Sequence, residues 1–304
     1  MLTVVLLAVV VVFVVIAVQR NWSAVREDLR LLSPLDLLAS LAAGAAALAF
    51  AGEGWRRALR SLGHTLPVHD ACTIYFAGQL GKYVPGSLWP VLIQTELGKR
   101  SNVPRVTMGT SYFLGLLISL GCGGLTGLLV LTGDAADSIW LLALMSGIGA
   151  VVVAVLLYDA RALNTFAGWV SKRSGREVPS LPKAGSQIVM AVALTLAAWL
   201  CFGLHAWFLA RPLGAGLDLL LPITGAFALA FVAGLVMVPL PAGAGVREAV
   251  LVLTLAPSLG EGTGVTVSLL SRLVLILTEL LLAGAFGVPS AVRMTRQRRQ
   301  TSVG

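Results

Sequence analysis

The chain has 304 residues, 57% of them hydrophobic and only 12% charged, with a mean hydropathy of +0.90 and a formal net charge of +8. Soluble domains carry about 25% charged residues, and here the charges cluster between apolar stretches of 17 to 25 residues, which argues against a soluble, secreted or nucleic-acid-binding domain. Roughly 20 apolar residues in a helix cross the ~30 Å hydrocarbon core, so the chain reads as a polytopic, all-α membrane protein whose basic loops face anionic lipid headgroups.

Taken in chain order, the first apolar segment, 2–18, lacks a basic flank and a small-residue cleavage site, so it reads as an anchor rather than a signal peptide. Residues 19–34 form a loop with Arg20, Arg26 and Arg30, partly offset by Glu27 and Asp28. A span over 35–51 follows, with Glu53, Arg56 and Arg57 as its solvated end. The segment 70–97 is apolar but interrupted by Gly78, Gly81, Pro85, Gly86 and Pro90. Proline removes a backbone donor and glycine lets the chain reverse, so this is a broken segment. Asp70 is its expected N-cap, and Glu96 with Lys99 and Arg100 closes it at the surface. Further spans fall at 107–131, 139–157, 187–210 and 265–288, with a basic linker over 159–185. A second broken segment, 219–257, is interrupted at Pro239-Leu240-Pro241-Ala242-Gly243-Ala244-Gly245, and a basic tail covers 291–304. Residues 219–238 and 244–257 are alternatively two separate spans.

With both termini in the cytoplasm and both broken segments treated as hairpins, cytoplasmic segments hold 15 of the 22 basic residues. The outer loops 132–138 and 258–264 hold Asp134, Asp137 and Glu261 and no base. That bias agrees with the positive-inside rule. The same topology divides one transmembrane domain into two repeats, 1–134 and 135–290. Each crosses an odd number of times, so the second is inverted relative to the first. Paired Gly/Pro-interrupted segments at corresponding positions point to a transporter's binding site, because non-helical backbone at that depth needs protein or a polar cavity around it.

The charges inside these segments are the candidate site residues. Lys82 lies beside the first break, in Gly81-Lys82-Tyr83-Val84-Pro85-Gly86. A charge at bilayer depth costs about 2.5–3.5 kcal/mol on insertion scales, so Lys82 either meets a lipid phosphate or snorkels to the interface. Tyr83 and Trp89 are interfacial anchors or ligand-stacking groups. Arg247 and Glu248 follow the second break. There a helix start would favour an anion and Arg247 would add a fork suited to phosphate; the alternative is an Arg–Glu pair, or Glu248 satisfying helix-start donors. Ser268, Arg272, Leu275 and Glu279 share one face of the last span by i, i+4, i+7, i+11 spacing. That face either lines a substrate path or forms a buried ion-pair network. Cys72, Cys122 and Cys201 sit in apolar contexts, His64, His69 and His205 are scattered, and no P-loop, dinucleotide, zinc or serine-hydrolase motif occurs. The expectation is a non-enzyme with no cofactor and no metal.

These residues resemble the lysylphosphatidylglycerol synthase transmembrane-region family, also called flippase-like membrane proteins. The resemblance rests on residues 81–86 with Trp89, on Leu240-Pro241-Ala242-Gly243-Ala244-Gly245-Val246-Arg247-Glu248, and on Arg272. The family pattern more often has Pro-Gly-Gly at 241–243. The resemblance implies movement of a lipid with a polar, often charged headgroup between leaflets, such as an aminoacylated or anionic phospholipid or a polyprenyl-linked lipid. Lys82, Tyr83, Arg247, Glu248, Arg272 and Glu279 would line its path. The expected setting is a bacterial or archaeal plasma membrane. The aminoacyltransferase domain of some relatives is absent from the sequence, so synthase activity is not expected. The expected partners are the lipid substrate and the anionic leaflet, and not nucleic acid. A scaffold for a lipid-modifying or glycosyl-transferring enzyme, a membrane lipid-phosphate enzyme, and a homo-oligomer remain open alternatives.

Overall fold

The computed structural model describes residues 19, 22–84, 88–132, 139–158, 165, 168, 171, 172, 185–236 and 243–301. The expected anchor at 2–18, most of the expected linker 159–185, most of the expected loop 132–138 and the expected break residues Pro85, Gly86 and Pro239–Ala242 lie outside these residues. The described residues form helices α1 (Trp22–Leu31), α2 (Pro34–Ser61), α3 (Val68–Leu80), α4 (Trp89–Gly98) and α5 (Arg105–Gly127). They continue as α6 (Ile139–Tyr158), α7 (Ser186–Ala210), α8 (Leu220–Val236), α9 (Val246–Leu259) and α10 (Glu261–Thr301), and contain no strand.

Among the described residues, five segments are long and apolar enough to cross a membrane: Pro34–Ser61, Arg105–Val130, Ser186–Leu213, Leu217–Leu235 and Glu261–Gly287. α6 adds 20 residues without a charge. The radial distribution of polarity is that of a lipid-solvated protein. Phe113, Leu200, Leu253, Leu273 and Leu281 point outward, whereas Ser40, Thr195, His205, Ser268, Ser271, Thr278 and Glu279 are buried. Polar groups face inward because hydrocarbon cannot satisfy them.

Several boundaries differ from the sequence expectation, each for a local reason. The expected loop 19–34 contains α1. Ser33 caps α2: its hydroxyl accepts from the Asp36 amide at 3.3 Å while Asp36 accepts from the Ser33 amide, with Pro34 at the first helical position. Arg211, just past α7, donates to Asp36 at 2.7 Å and ties the two helix ends. α2 does not end near 51 but runs on to Ser61. Glu53, Arg56 and Arg57 are therefore not a solvated terminus. Glu53 accepts from Arg56 at 2.6 Å and from Arg57 at 2.7 Å, and the buried Arg56 also donates to the Leu66 carbonyl. Asp70 is not an N-cap, since Pro67 precedes the helix and Asp70 sits inside its first turn. The expected loop 258–264 shrinks to Gly260 between α9 and α10. The basic tail continues α10 as helix to Thr301, a rod of ~60 Å in all.

The two broken segments fold as helix pairs. α3 and α4, at 13 and 10 residues, measure ~20 and ~15 Å, so neither crosses a ~30 Å core alone. They pack on each other. Gly81 permits this, because a Cβ there would lie 2.8 Å from the Pro90 nitrogen. α8 and α9 pack similarly. Gly243, at φ +64, lies so close to Gly234 that a Cβ would meet its Cα at 2.6 Å. This second pair is uneven: α8 is long enough to cross and α9, with 14 residues, is not. A Gly81→Val or Gly243→Val variant is expected to lower the thermal unfolding midpoint in detergent markedly. A Gly284→Val variant, where a side chain meets nothing within 4 Å, should leave it near wild type.

The packing repeats under one exchange of elements. α2 lies along α7 in the most extensive helix contact among the described residues. Exchanging α2 with α7, α3 with α8, α4 with α9 and α5 with α10 turns each further contact into another that is present. α3 touches α10 as α8 touches α5; α4 touches α5 as α9 touches α10; α5 touches α7 as α10 touches α2. At the centre His205 of α7, fully buried, bonds the Ser40 hydroxyl of α2 at 2.8 Å and the Ser271 hydroxyl of α10 at 3.0 Å. One side chain thus joins three helices.

Candidate functional site

Where the helix pairs meet lies a partly open cavity of about 160 Å³. Each neighbouring helix contributes residues at helical spacing: Leu48, Ala51 and Trp55 from α2; Tyr112, Gly115 and Ser119 from α5; Thr195, Trp199 and Phe202 from α7; Leu275 and Glu279 from α10. From α3 come Tyr75, Gly78 and Gln79, and Lys82 follows in the single 3₁₀ turn Gly81–Tyr83 that ends it. α4 supplies Pro90 and Gln94, α8 Phe231 and Leu235, and α9 Arg247.

Three charged side chains reach this cavity. Lys82 is ion-paired with Glu279, and the Tyr83 hydroxyl donates to the other Glu279 oxygen at 2.8 Å. Glu279 is 3% exposed, so both donors compensate a carboxylate that lipid or protein interior alone would not tolerate. Tyr83, which the sequence read as an interfacial anchor or a ligand-stacking group, donates its hydroxyl hydrogen to a buried carboxylate. Arg247 differs. Its guanidinium lies 4.7 Å from the Phe227 ring centre and 5.3 Å from that of Phe231, and among the described residues it enters no ion pair. A cation held over aromatic faces is stabilised by their quadrupoles while its N–H donors stay available to an anion.

Glu248 and Arg272 stand beside the cavity rather than in its wall. They are ion-paired with each other, and Glu248 also accepts from the Gly245 amide at 2.6 Å. The free helix-start amides expected at α9 are thus partly taken by its own glutamate. Arg272 is turned to α9 and Glu279 to α3, so one face of α10 fastens both helix pairs. Ser268, on that face, is buried, and its hydroxyl has no hydrogen-bond partner among the described residues. Glu96 pairs with Arg105 at 2.6 Å and Lys99 at 3.3 Å at the exposed end of α4, away from the cavity.

The five charges in and beside the cavity sum to three cations and two carboxylates. Two pairs cancel, and Arg247 carries the excess. The sequence reading did not name the neutral wall of Trp55, Tyr75, Gln79, Gln94 and Tyr112. Its signal was present for α3, since 75, 78, 79 and 82 follow i, i+3, i+4, i+7 spacing and Lys82 faces inward. Among the described residues no group of three or more His, Cys, Asp and Glu side chains could hold a metal ion.

The family model of the lysylphosphatidylglycerol synthase transmembrane region matches residues 1–283. No curated protein matches the chain. The chain belongs to this family, an integral membrane domain tied to lipid handling.

Proposed function

We propose, taking that membership in the lysylphosphatidylglycerol synthase transmembrane-region family as the premise, that the chain moves a lipid with an anionic, polar headgroup between leaflets without ATP. A charged headgroup does not cross hydrocarbon unaided for the reason a charged side chain does not. A cavity between helices, with charged side chains set in a mostly apolar wall, substitutes for water at the headgroup while the acyl chains stay in lipid. The single observation that carries this reading is Arg247: a cation in the cavity wall, held by two phenylalanines and, among the described residues, in no ion pair. Lys82, Tyr83 and Glu279 form the adjoining part of the path, and Glu248 with Arg272 brace α9 against α10.

The exchange of contacts between α2–α5 and α7–α10 supports an inverted repeat. In that arrangement the helix pairs α3–α4 and α8–α9 enter from opposite faces and meet at the cavity, and access alternates as one repeat rocks on the other. The basic residues 293–299 and the Lys99–Arg105 turn then lie at the cytoplasmic leaflet of a bacterial or archaeal plasma membrane. Purified protein in vesicles with a tail-labelled anionic phospholipid tests the proposal. The expected result is exchange between leaflets that a membrane-impermeant quencher detects, with the lipid recovered unchanged. Chemically converted lipid would make the chain an enzyme, and no exchange at all would favour a scaffold for a lipid-modifying partner.

A further inference from the structure

Among the described residues Glu279 is the one carboxylate in the cavity wall, and its surroundings decide what its charge can do. The residue is 3% exposed, whereas the Lys82 side chain paired with it is 24% exposed. The cation is thus the accessible partner, and the carboxylate lies behind it. Both donors to Glu279 come from one turn, Gly81–Tyr83, with Lys82 on one oxygen and Tyr83 on the other.

The other elements packed on α10 bring charges that are already engaged or lie elsewhere. From α9, Arg247 lies over the Phe227 and Phe231 rings in the cavity wall, and Glu248 is paired with Arg272. From α3 come Tyr75 and, further from Lys82, Cys72 and the His69–Asp70 pair. His205 of α7 is bonded to Ser40 and Ser271. On α2, Arg211 binds Asp36, while Arg56 and Arg57 bind Glu53, with Arg60 a turn further on. α1 carries Asp28, buried but outside the cavity wall, and its other charges are exposed.

A phosphate that enters beside Arg247 meets Lys82 as the second cation of the same small cavity. Once Lys82 donates to the phosphate, Glu279 keeps only the neutral Tyr83 hydroxyl. A buried carboxylate that loses its cation is strongly destabilised, and such a group takes a proton rather than stay charged. The proton adds to the Glu279 oxygen that Lys82 leaves. The lysine stays an ammonium, and Tyr83 keeps its hydrogen and its bond to the other oxygen. Departure of the phosphate reverses the step. Lys82, Arg247 and Glu279 carry one net positive charge with the cavity empty, and the same net charge once a singly charged phosphate and a proton have both entered.

We propose that Glu279 is a proton-binding site and that the chain couples each lipid phosphate to one proton, carrying the two together without net charge. This rests on the lipid-translocation reading and deepens it by naming the coupled ion. The test uses vesicles with wild-type protein and a trace of tail-labelled phosphatidylglycerol, a phosphodiester whose single charge is constant near neutral pH. They are given either a pH gradient at zero potential or a potassium diffusion potential at equal pH. A gradient of one pH unit is expected to enrich the label about tenfold in the leaflet on the alkaline side, and the potential to leave it even. An uncoupled anion would follow the potential and ignore the pH gradient. In Glu279→Gln the pH gradient should lose its effect, and any remaining exchange should follow the potential. A second measurement needs no exchange. Lipid added to detergent-solubilised wild type in weak buffer should draw in about one proton per lipid bound, and the Lys82→Met/Glu279→Met protein should draw in none. That arm also serves if Glu279→Gln does not accumulate. A wild-type distribution that ignores the pH gradient or follows the potential, a Glu279→Gln protein that still responds to pH, or binding without proton uptake each overturns the coupling and leaves translocation standing. Proton uptake without leaflet exchange keeps the proton site and removes translocation instead.

Discussion

Arg247→Ala is expected to slow leaflet exchange of an anionic phospholipid by about 10- to 100-fold while the protein stays folded. A hydrogen bond to a charged group contributes about 1.5–3 kcal/mol, and each 1.36 kcal/mol is tenfold, so loss of one guanidinium–phosphate contact gives a change of that order. Folding should survive because, among the described residues, Arg247 pairs with no carboxylate that its loss would orphan; what is lost is its stacking on Phe227 and Phe231, worth ~0.5–2 kcal/mol. Arg247→Lys separates charge from shape. It keeps the cation but not the planar fork that stacks and binds phosphate bidentately, so an intermediate rate is expected. The measurement is the quencher-accessible fraction over time, at matched protein-to-lipid ratio. An Arg247→Ala protein that exchanges lipid at the wild-type rate would remove the phosphate role outright.

Much of this arrangement was legible in the sequence, and the legible part has a common cause. The spans follow from hydrophobic length, and the helix-pair tips follow from Gly81 and from Gly243 with Gly245, because those features act locally. Lys82, Arg247, Arg272 and Glu279 stood out because charge at bilayer depth is costly wherever it lies. Partner choice was not legible. Lys82 and Glu279 are 197 residues apart in the chain, and only helix register and packing decide that Glu279 turns to α3 while Arg272 turns to α9. Glu248 illustrates the limit. Its position after a break fits an anion site, yet the carboxylate itself occupies the Gly245 amide. The neutral wall was hidden for another reason. Trp55, Gln79 and Gln94 carry no charge, and an amide or indole in an apolar segment is unremarkable until the fold shows what it faces. The same holds for His205, whose ties to Ser40 and Ser271 join helices distant in sequence.

Glu279→Met separates the structural from the transporting role of the second charged group. Glu279 is 3% exposed and bonded by both Lys82 and Tyr83, so the single substitution leaves a lysine ammonium at the cavity without its counter-charge. Removing one partner of a fully buried pair costs about 3–5 kcal/mol. The Lys82 side chain keeps about a quarter of its exposure, so some solvation remains, and about 2–4 kcal/mol is expected. The double variant Lys82→Met/Glu279→Met removes both charges together. Its stability should return most of the way to wild type, because replacing a whole buried pair by apolar side chains is often neutral. Unfolding in detergent, followed for wild type, both single variants and the double, gives the coupling energy directly. Stability near wild type in Glu279→Met, or no recovery in the double variant, would contradict the pairing. Exchange should behave differently. If the Lys82–Glu279 contact also lies on the lipid path, the double variant regains its fold and not its transport. If the contact only braces α3 against α10, fold and transport return together, and Arg247 alone carries the headgroup charge.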